Sequence, residues 1–519
     1  MERYHVPGVS IALVDDQKII WAQGFGYADK ERQIPATAET VYQTGSITKP
    51  VTATVAMKLV EKGELDLDRP LQSYLPNFSM RRLTADKSPV TSRALLSHHA
   101  GLPRYFAKGL LSKEPHSVLS DGLNEDYVLY SQGTRFDYSN VGFALMGDVI
   151  ESASKRPYAS FVKDELFRPL RMDHSAFSVN EDIRPLMARG YSRKGLMPVE
   201  SFRDQAPSAM VSNVLDLGRF IQLIFADGKS GGEQIIKKET LDAMFERQYP
   251  DAKLDFGVHY GLGWFLGGIP GLEDYRVAWH EGRTLSFWNK IVLLRDKKLG
   301  VIVLSNSETG RLLTKDVAER AVKMLLQARE GNAEETKGRQ LPCSSVGEGI
   351  DDDLKKYTGD YSFMGTLARV YADGEKLKVK VGGHVMDIVP MGAGIFMLEK
   401  KMLGIFPVRV GFLKMVRVDG SDYIITFEKC GLSGERIPAH TIPVQWKKRL
   451  GGYRLVNPDE ESVVHFKHMR LVIEDGYLQL DVDSDRPEAR GMIILMPVSD
   501  EAAYIIGTSS TGGINGTLV

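Results

Sequence analysis

Residues 41–63 read VYQTGSITKPVTATVAMKLVEKG. A glycine precedes Ser46, Lys49 follows it by three positions, and residues 52–61 form a long helix-favouring run. Side chains three apart on a helix share a face, so the spacing predicts the Lys49 amine beside the Ser46 hydroxyl. Ser46 falls in the first turn, where unpaired backbone N–H groups and the helix dipole favour negative charge. A hydroxyl is a poor nucleophile without a neighbouring base, and here it has one. The same S-x-x-K spacing occurs at Ser152/Lys155 and Ser160/Lys163. The former sits at the polar end of a helix with no acid or oxyanion donor near it. The latter lies in an amphipathic helix with its lysine on the solvated side. Neither is expected to be reactive.

The chain has 519 residues, 43% hydrophobic and 26% charged, with a net charge of −1. The length suggests about three domains, each able to bury a core. No block of like charge points to nucleic acid or a membrane surface. No apolar run reaches the ~18 residues of a membrane span. The first residues lack the basic, apolar and small-residue regions of a signal peptide, so a cytoplasmic location is expected. Cys343 and Cys430 show no metal spacing and are expected as two free thiols.

Outward from residue 46, residues 9–14 and 18–23 read as a strand hairpin, and residues 93–103 as a short helix and turn. His98 and His99 in that turn lack a third ligand at metal spacing and are expected to brace it. Residues 110–126 read as a surface insertion. Residues 133–140, GTRFDYSN, form a turn before a helix over 141–152, which puts Tyr138 and Asn140 on a loop at a helix start. Helices are predicted over 215–226 and 238–246, strands between 260 and 304, and a closing helix over 315–328. This order suits an α+β domain whose sheet is built from both ends of the chain. Residues 331–349, rich in Gly, Ser and Glu, read as a linker. Beyond it short alternating strands recur, with D-G turn signals at 373–374, 419–420 and 475–476. The pattern K-K-x-x-G-x-Y appears at 355–361 and again at 447–453. Two tandem all-β units, small closed antiparallel barrels over 350–445 and 446–519, are predicted.

Three elements line up in order: Ser46-Ile47-Thr48-Lys49, Tyr138-Ser139-Asn140, and His280-Glu281-Gly282 before a strand. A second H-x-G, at His99-Ala100-Gly101, lies too early, in the turn after a helix. With the blocks PGVSIALV, LLSHHAGLP and YGLGW, residues 6–330 resemble the serine β-lactamase-like and penicillin-binding-protein superfamily, in the branch with Y-x-N second and H-x-G third. The H-x-G form, followed by two barrels, resembles D-stereospecific aminopeptidases, in which two lipocalin-like barrels follow the catalytic domain. The expected architecture is therefore a multidomain chain, an α+β β-lactamase-like domain over 1–330 and two small β-barrels.

The resemblance implies a serine hydrolase working through an acyl-enzyme, with no metal or cofactor. Ser46 would attack, with Lys49 or Tyr138 as base. Tyr138 would carry the proton to the leaving amine, and Asn140 would hold Lys49 and the substrate amide. The oxyanion hole would be the backbone N–H groups of Ser46 and Arg283. At the third motif β-lactamases and carboxypeptidases use a permanently charged lysine. His280 is mostly neutral at pH 7, which points away from a free carboxylate and toward peptides with a free amino end, amides or esters. Gly282 would line the site. Asp481, Asp483 and Asp485 could bind a substrate amine, or form a solvated hairpin. The rival readings are an esterase or acyltransferase on small-molecule esters, a β-lactamase-like hydrolase, and a catalytically dead binding protein. A homo-oligomer is left open.

Overall fold

The computed structural model describes residues 1–105, 123–198, 202–331, 354–392, 394–402, 406–427, 430–453, 466–484, 491–507 and 516–518. Most of the 110–126 insertion, Cys343 and Asp485 lie outside them. The first body holds an eight-stranded sheet. Its strands are β1 (Gly8–Asp15), β2 (Lys18–Asp29), β3 (Ile34–Pro35), β4 (His259–Tyr260), β5 (Phe265–Leu266), β6 (Val277–Arg283), β7 (Trp288–Leu294) and β8 (Leu299–Ser305). Their order in the sheet is β4-β5-β6-β7-β8-β1-β2-β3. The chain ends do meet: β1 pairs antiparallel with β8, from Val9↔Ser305 to Asp15↔Leu299. Strand β8, LGVIVLS, is buried on both faces, which is why it reads as an unbroken apolar run rather than an alternation. The predicted hairpin partner does not stop at residue 23. Strand β2 continues through the Gly24-Phe25-Gly26 stretch, because these glycines pair with Ser10 and Gly8.

The helices that bear on the site and its core are α1 (Thr48–Glu61), α2 (Ser92–Ser97), α3 (Asn140–Ser154), α4 (Gln205–Ser208), α5 (Val214–Phe225) and α6 (Arg311–Glu330); two short ones, Tyr158–Val162 and Lys238–Ala243, complete the first body in the described residues. Helix α6 covers one face of the sheet through Leu313, Ala318, Val322 and Leu326. The larger core lies on the other face, where α1, α3 and α5 gather. Every residue of α1 from Thr48 to Leu59 is buried. A helix buried all round sits in the middle of a core, so the start of α1 is held from every side. A 3-10 turn, Gly45–Ile47, leads into it and carries Ser46. Among the described residues no helix is long and apolar enough to cross a membrane.

The first C-terminal unit is a closed barrel of eight antiparallel strands, β9 (Gly359–Phe363), β10 (Thr366–Asp373), β11 (Lys376–Val381), β12 (His384–Gly392), β13 (Ile395–Met402), β14 (Phe406–Val418), β15 (Ser421–Thr426) and β16 (Gly431–Arg436). The second, where two barrels were expected, is a six-stranded antiparallel meander in the described residues: β17 (Gly451–Tyr453), β18 (Phe466–Glu474), β19 (Tyr477–Ser484), β20 (Gly491–Pro497), β21 (Ala503–Ile505) and β22 (Gly516–Leu518). Asp419-Gly420 and Asp475-Gly476 are two-residue hairpin loops with positive φ at both positions, the geometry that matches strand twist. The sequence repeat is structural. In both copies a helical turn gives way to a glycine at large positive φ, Gly359 at 149° and Gly451 at 145°, which opens the first strand. One expectation is corrected. Cys430 is disulfide-bonded rather than a free thiol, and Cys343 is the other cysteine of the chain.

Candidate active site

The long-range convergence predicted for Ser46 is present. Lys49 Nζ lies 3.0 Å from Ser46 Oγ, 2.6 Å from Asn140 Oδ1 and 2.9 Å from the carbonyl of Pro207 in α4. Ser139 caps α3, its hydroxyl accepting from Gly142 N at 2.9 Å, so Asn140 enters as the first helical residue with its side chain on Lys49. The Tyr138 hydroxyl is hydrogen-bonded to Ser46, and the Lys49 amine lies 4.8 Å from the centre of the Tyr138 ring. Burial, and secondly the positive charge of Arg104, hold the Lys49 amine well below the ordinary lysine range. Burial pushes the Tyr138 phenol up, against the opposing effect of its hydrogen bond with Ser46. The two groups beside the hydroxyl are thus driven toward neutrality from opposite directions.

The turn carrying Ser46 is pressed against the end of β6. Gly45 adopts φ 55°, and a Cβ there would stand 2.7 Å from the backbone N of Arg283. A Cβ on Gly282 would stand 1.9 Å from the carbonyl oxygen of Thr44. Both positions need glycine because two backbones pass at contact distance. Gly282 therefore serves close packing. Thr284 N donates to Phe287 O in the β6–β7 ladder. Antiparallel pairs alternate, so Arg283, opposite Trp288, turns its N–H away from β7, toward the side where Ser46 sits.

His280 is 1% exposed. Its Nδ1 lies 2.6 Å from the Glu281 carbonyl and its Nε2 3.1 Å from the Tyr260 hydroxyl. A carbonyl only accepts, so the neutral ring carries its proton on Nδ1 and Nε2 accepts from Tyr260. The ring centre is 6.3 Å from that of Tyr138. His280 is packed beside the Ser46 group, with both nitrogens engaged inside the protein.

A family model described as Beta-lactamase matches residues 1–323. The chain belongs to the beta-lactamase family. That places it in the β-lactamase and penicillin-binding-protein superfamily of serine hydrolases. Penicillin-binding protein 4* of Bacillus subtilis is 26% identical over 437 residues, 77% of this chain and 89% of that protein. Protein flp of Staphylococcus aureus strain MRSA252 is 26% identical over 319 residues, 59% of this chain. The match spans 60% of the length of that relative. Among solved structures, the octameric penicillin-binding protein homologue from Pyrococcus abyssi aligns at 26% identity and a TM-score of 0.56, over 82% of this chain and 96% of its own. SurE aligns over 84% of this chain and 96% of its own at 22% identity and a TM-score of 0.61, which shows a shared fold.

Other residues of this family member fall outside the cluster. Ser152 donates to the Tyr74 carbonyl at 2.7 Å, and Lys155 caps α3 at positive φ. His99 bridges the Ser97 carbonyl and Asp255, at 2.8 and 3.1 Å, and braces the turn after α2. Asp481 is paired with Arg470 at 3.1 Å, and both Asp481 and Asp483 face His468 on the neighbouring strand. They lie on the polar face of a hairpin. Two neighbours of that group were not foreseen from sequence. The Arg104 guanidinium sits 5.1 Å from the Tyr138 ring centre, and its backbone carbonyl accepts from Asn140 N at 3.0 Å. His98 lies against the Tyr138 ring, centres 4.1 Å apart, and its Nδ1 accepts from Ser139 N at 3.1 Å. No spacing rule marks Arg104. The block LLSHHAGLP did mark His98, but not its contact with a residue 40 positions later.

Proposed function

We propose that this chain is a serine hydrolase that cleaves peptides or amides through an acyl-enzyme on Ser46, in the manner of D-aminopeptidases that release N-terminal residues. The observation that carries the reading is the valence of the Lys49 amine. A neutral amine has two N–H bonds and one lone pair. The Asn140 side-chain carbonyl at 2.6 Å and the Pro207 carbonyl at 2.9 Å take the two hydrogens. The lone pair is left for the third neighbour, the Ser46 hydroxyl at 3.0 Å. Burial and Arg104 favour that neutral form. Lys49 is thereby favoured over Tyr138 as the base, since Tyr138 is held protonated by its own burial.

As Ser46 Oγ bonds to the acyl carbon, its proton moves to Lys49 Nζ. The backbone N–H groups of Ser46 and Arg283 receive the oxyanion. Tyr138 donates its proton to the leaving group and is reprotonated from Lys49; water then adds to the acyl carbon, its proton passing by way of Lys49 Nζ to Ser46 Oγ as the acyl bond breaks. A protonated tyrosine at the nucleophile favours amides over activated esters, because an amine cannot depart without a proton. The esterase or acyltransferase reading uses the same atoms. Release of amine from D-alanyl and L-alanyl amides, compared with hydrolysis of a short-chain nitrophenyl ester, separates the two. Turnover of the amides supports the peptidase reading; turnover of the ester alone rejects it. Because the related archaeal structure is octameric, self-association of this chain is also proposed, and light scattering on the purified protein tests it.

A further inference from the structure

In the segment before α3 successive side chains face opposite sides. Phe136 and Tyr138 turn into the core beside Ser46 and His280. Arg135 and Asp137 turn the other way and are also buried, at 3% and 1% exposure. What they meet there is the C-terminal half of the chain. Arg135 pairs with Glu435 of β16 at 3.2 Å and donates to the carbonyl of Gly507, just beyond β21, at 3.3 Å. Its remaining ion-pair partner is Asp137 at 3.4 Å. Tyr130, whose ring stacks on the Arg135 guanidinium, donates to the same Gly507 carbonyl at 3.0 Å. The closed barrel and the six-stranded sheet thus grip one arginine three residues before Tyr138.

A second set of contacts reaches the same segment independently. Phe136 N donates to Asp255 Oδ1 at 2.6 Å. The loop of Asp255 is tied to the barrel: Gly257 N donates to the Cys430 carbonyl at 2.9 Å, and the Phe256 ring lies 6.2 Å from that of Tyr423. Phe256 is a non-glycine residue at φ 52°, a conformation that persists only where its surroundings enforce it. The segment carrying Tyr138 is therefore held from behind by both C-terminal units, at Arg135 directly and at Phe136 through Asp255.

We propose that the C-terminal units act on the reaction by fixing Tyr138, with Arg135 and Glu435 as positioning residues that aim its hydroxyl at the leaving group. This rests on the reading of Tyr138 as proton donor. The experiment uses the full chain and a series of substituted phenyl acetates, from poor to good leaving groups, with fluorophosphonate labelling of Ser46 in parallel. Fluoride and nitrophenolate leave without a proton; unsubstituted phenolate gains from one. Glu435→Gln and Arg135→Lys are expected to lose about tenfold on phenyl acetate, a fraction of the ~10²–10⁴ supplied by a placed general acid. Rates on 4-nitrophenyl acetate and with the fluorophosphonate are expected to stay near the parent's, so the dependence on the leaving group steepens as it does in Tyr138→Phe. Asp419→Asn removes the exposed ion pair of Lys253 and Asp419 between the same bodies and is expected to match the parent. Thermal unfolding confirms that each variant is folded; Glu435 is on the barrel, so its change leaves the first core intact. Equal losses on all substrates, or a parental leaving-group dependence in Glu435→Gln while Tyr138→Phe steepens it, overturn the proposal. A parental dependence in Tyr138→Phe overturns instead the reading on which it rests.

Discussion

Replacing Gly45 by alanine perturbs the site at its tightest point. The residue holds φ 55°, and its absent Cβ would lie 2.7 Å from both N and O of Arg283 and 2.8 Å from its carbonyl carbon. An L-residue in left-handed conformation costs roughly 1–2 kcal/mol. Overpacking typically adds about 1–3 kcal/mol, and here the obstruction is backbone, which cannot swing aside as a side-chain tip can. The expected loss is roughly 2–5 kcal/mol, or a midpoint lower by about 3–7 °C for a domain of this size. The relief available is separation of the Ser46 turn from β6, which moves one oxyanion donor off its aim. Loss of such a donor costs ~10²–10³ in rate. Gly63→Ala is the matched control: Gly63 has φ 74° but nothing within 4 Å of a Cβ, so it carries the backbone strain without the clash. The assay is the second-order rate of fluorophosphonate labelling, at a temperature where both variants are folded by circular dichroism. Gly45→Ala labelling at the rate of Gly63→Ala would refute the placement of Arg283 N in the oxyanion hole.

Three further outcomes follow from the Lys49 environment. Labelling of Ser46 needs the neutral amine, so its rate should fall on the acid side as pH drops through a pKa well below the ordinary lysine value of ~10.4; a rate that rises only near that ordinary value contradicts it. Asn140→Asp sets a carboxylate where the amide oxygen lies 2.6 Å from the amine, favours the charged form, and should move that limb to higher pH while slowing labelling at pH 7; an unmoved limb removes Asn140 from the account. With its folded pKa depressed, Lys49 binds fewer protons in the native than in the unfolded chain between the two values, so this residue makes stability rise with pH across that window. Lys49→Met lacks the term, and the stability gap between parent and variant should shift in the parent's favour from pH 7 toward 10 in urea titrations; a gap constant with pH is the contrary result.

What the sequence disclosed was local or periodic. S-x-x-K fixes its own geometry through helical spacing, and the D-G turns and the repeated K-K-x-x-G-x-Y fix theirs through φ at one or two residues. The strand order with β1 beside β8 was legible because both ends of the first body read as apolar strands. The less legible features depend on burial set by distant elements. His280 was read as a group facing substrate, because spacing cannot reveal that Tyr260 and the Glu281 carbonyl occupy both nitrogens. Asp481 and Asp483 looked available until Arg470 and His468 were placed beside them across a hairpin. Cys430 looked free because a disulfide to a residue distant in sequence has no local signature. Arg135 could have been suspected: in R-F-D-Y the alternation of charged and aromatic residues announces two buried faces, and only the second partner surface was unknown.

The central claim is that Ser46, activated by Lys49, becomes acylated. Mass spectrometry of the intact protein after fluorophosphonate treatment, followed by peptide mapping, tests it most directly. The account predicts a single adduct on the peptide containing Ser46 in the parent and none in Ser46→Ala, with Ser152 and Ser160 unmodified. An equal adduct in Ser46→Ala, or one mapped to another serine, would contradict it.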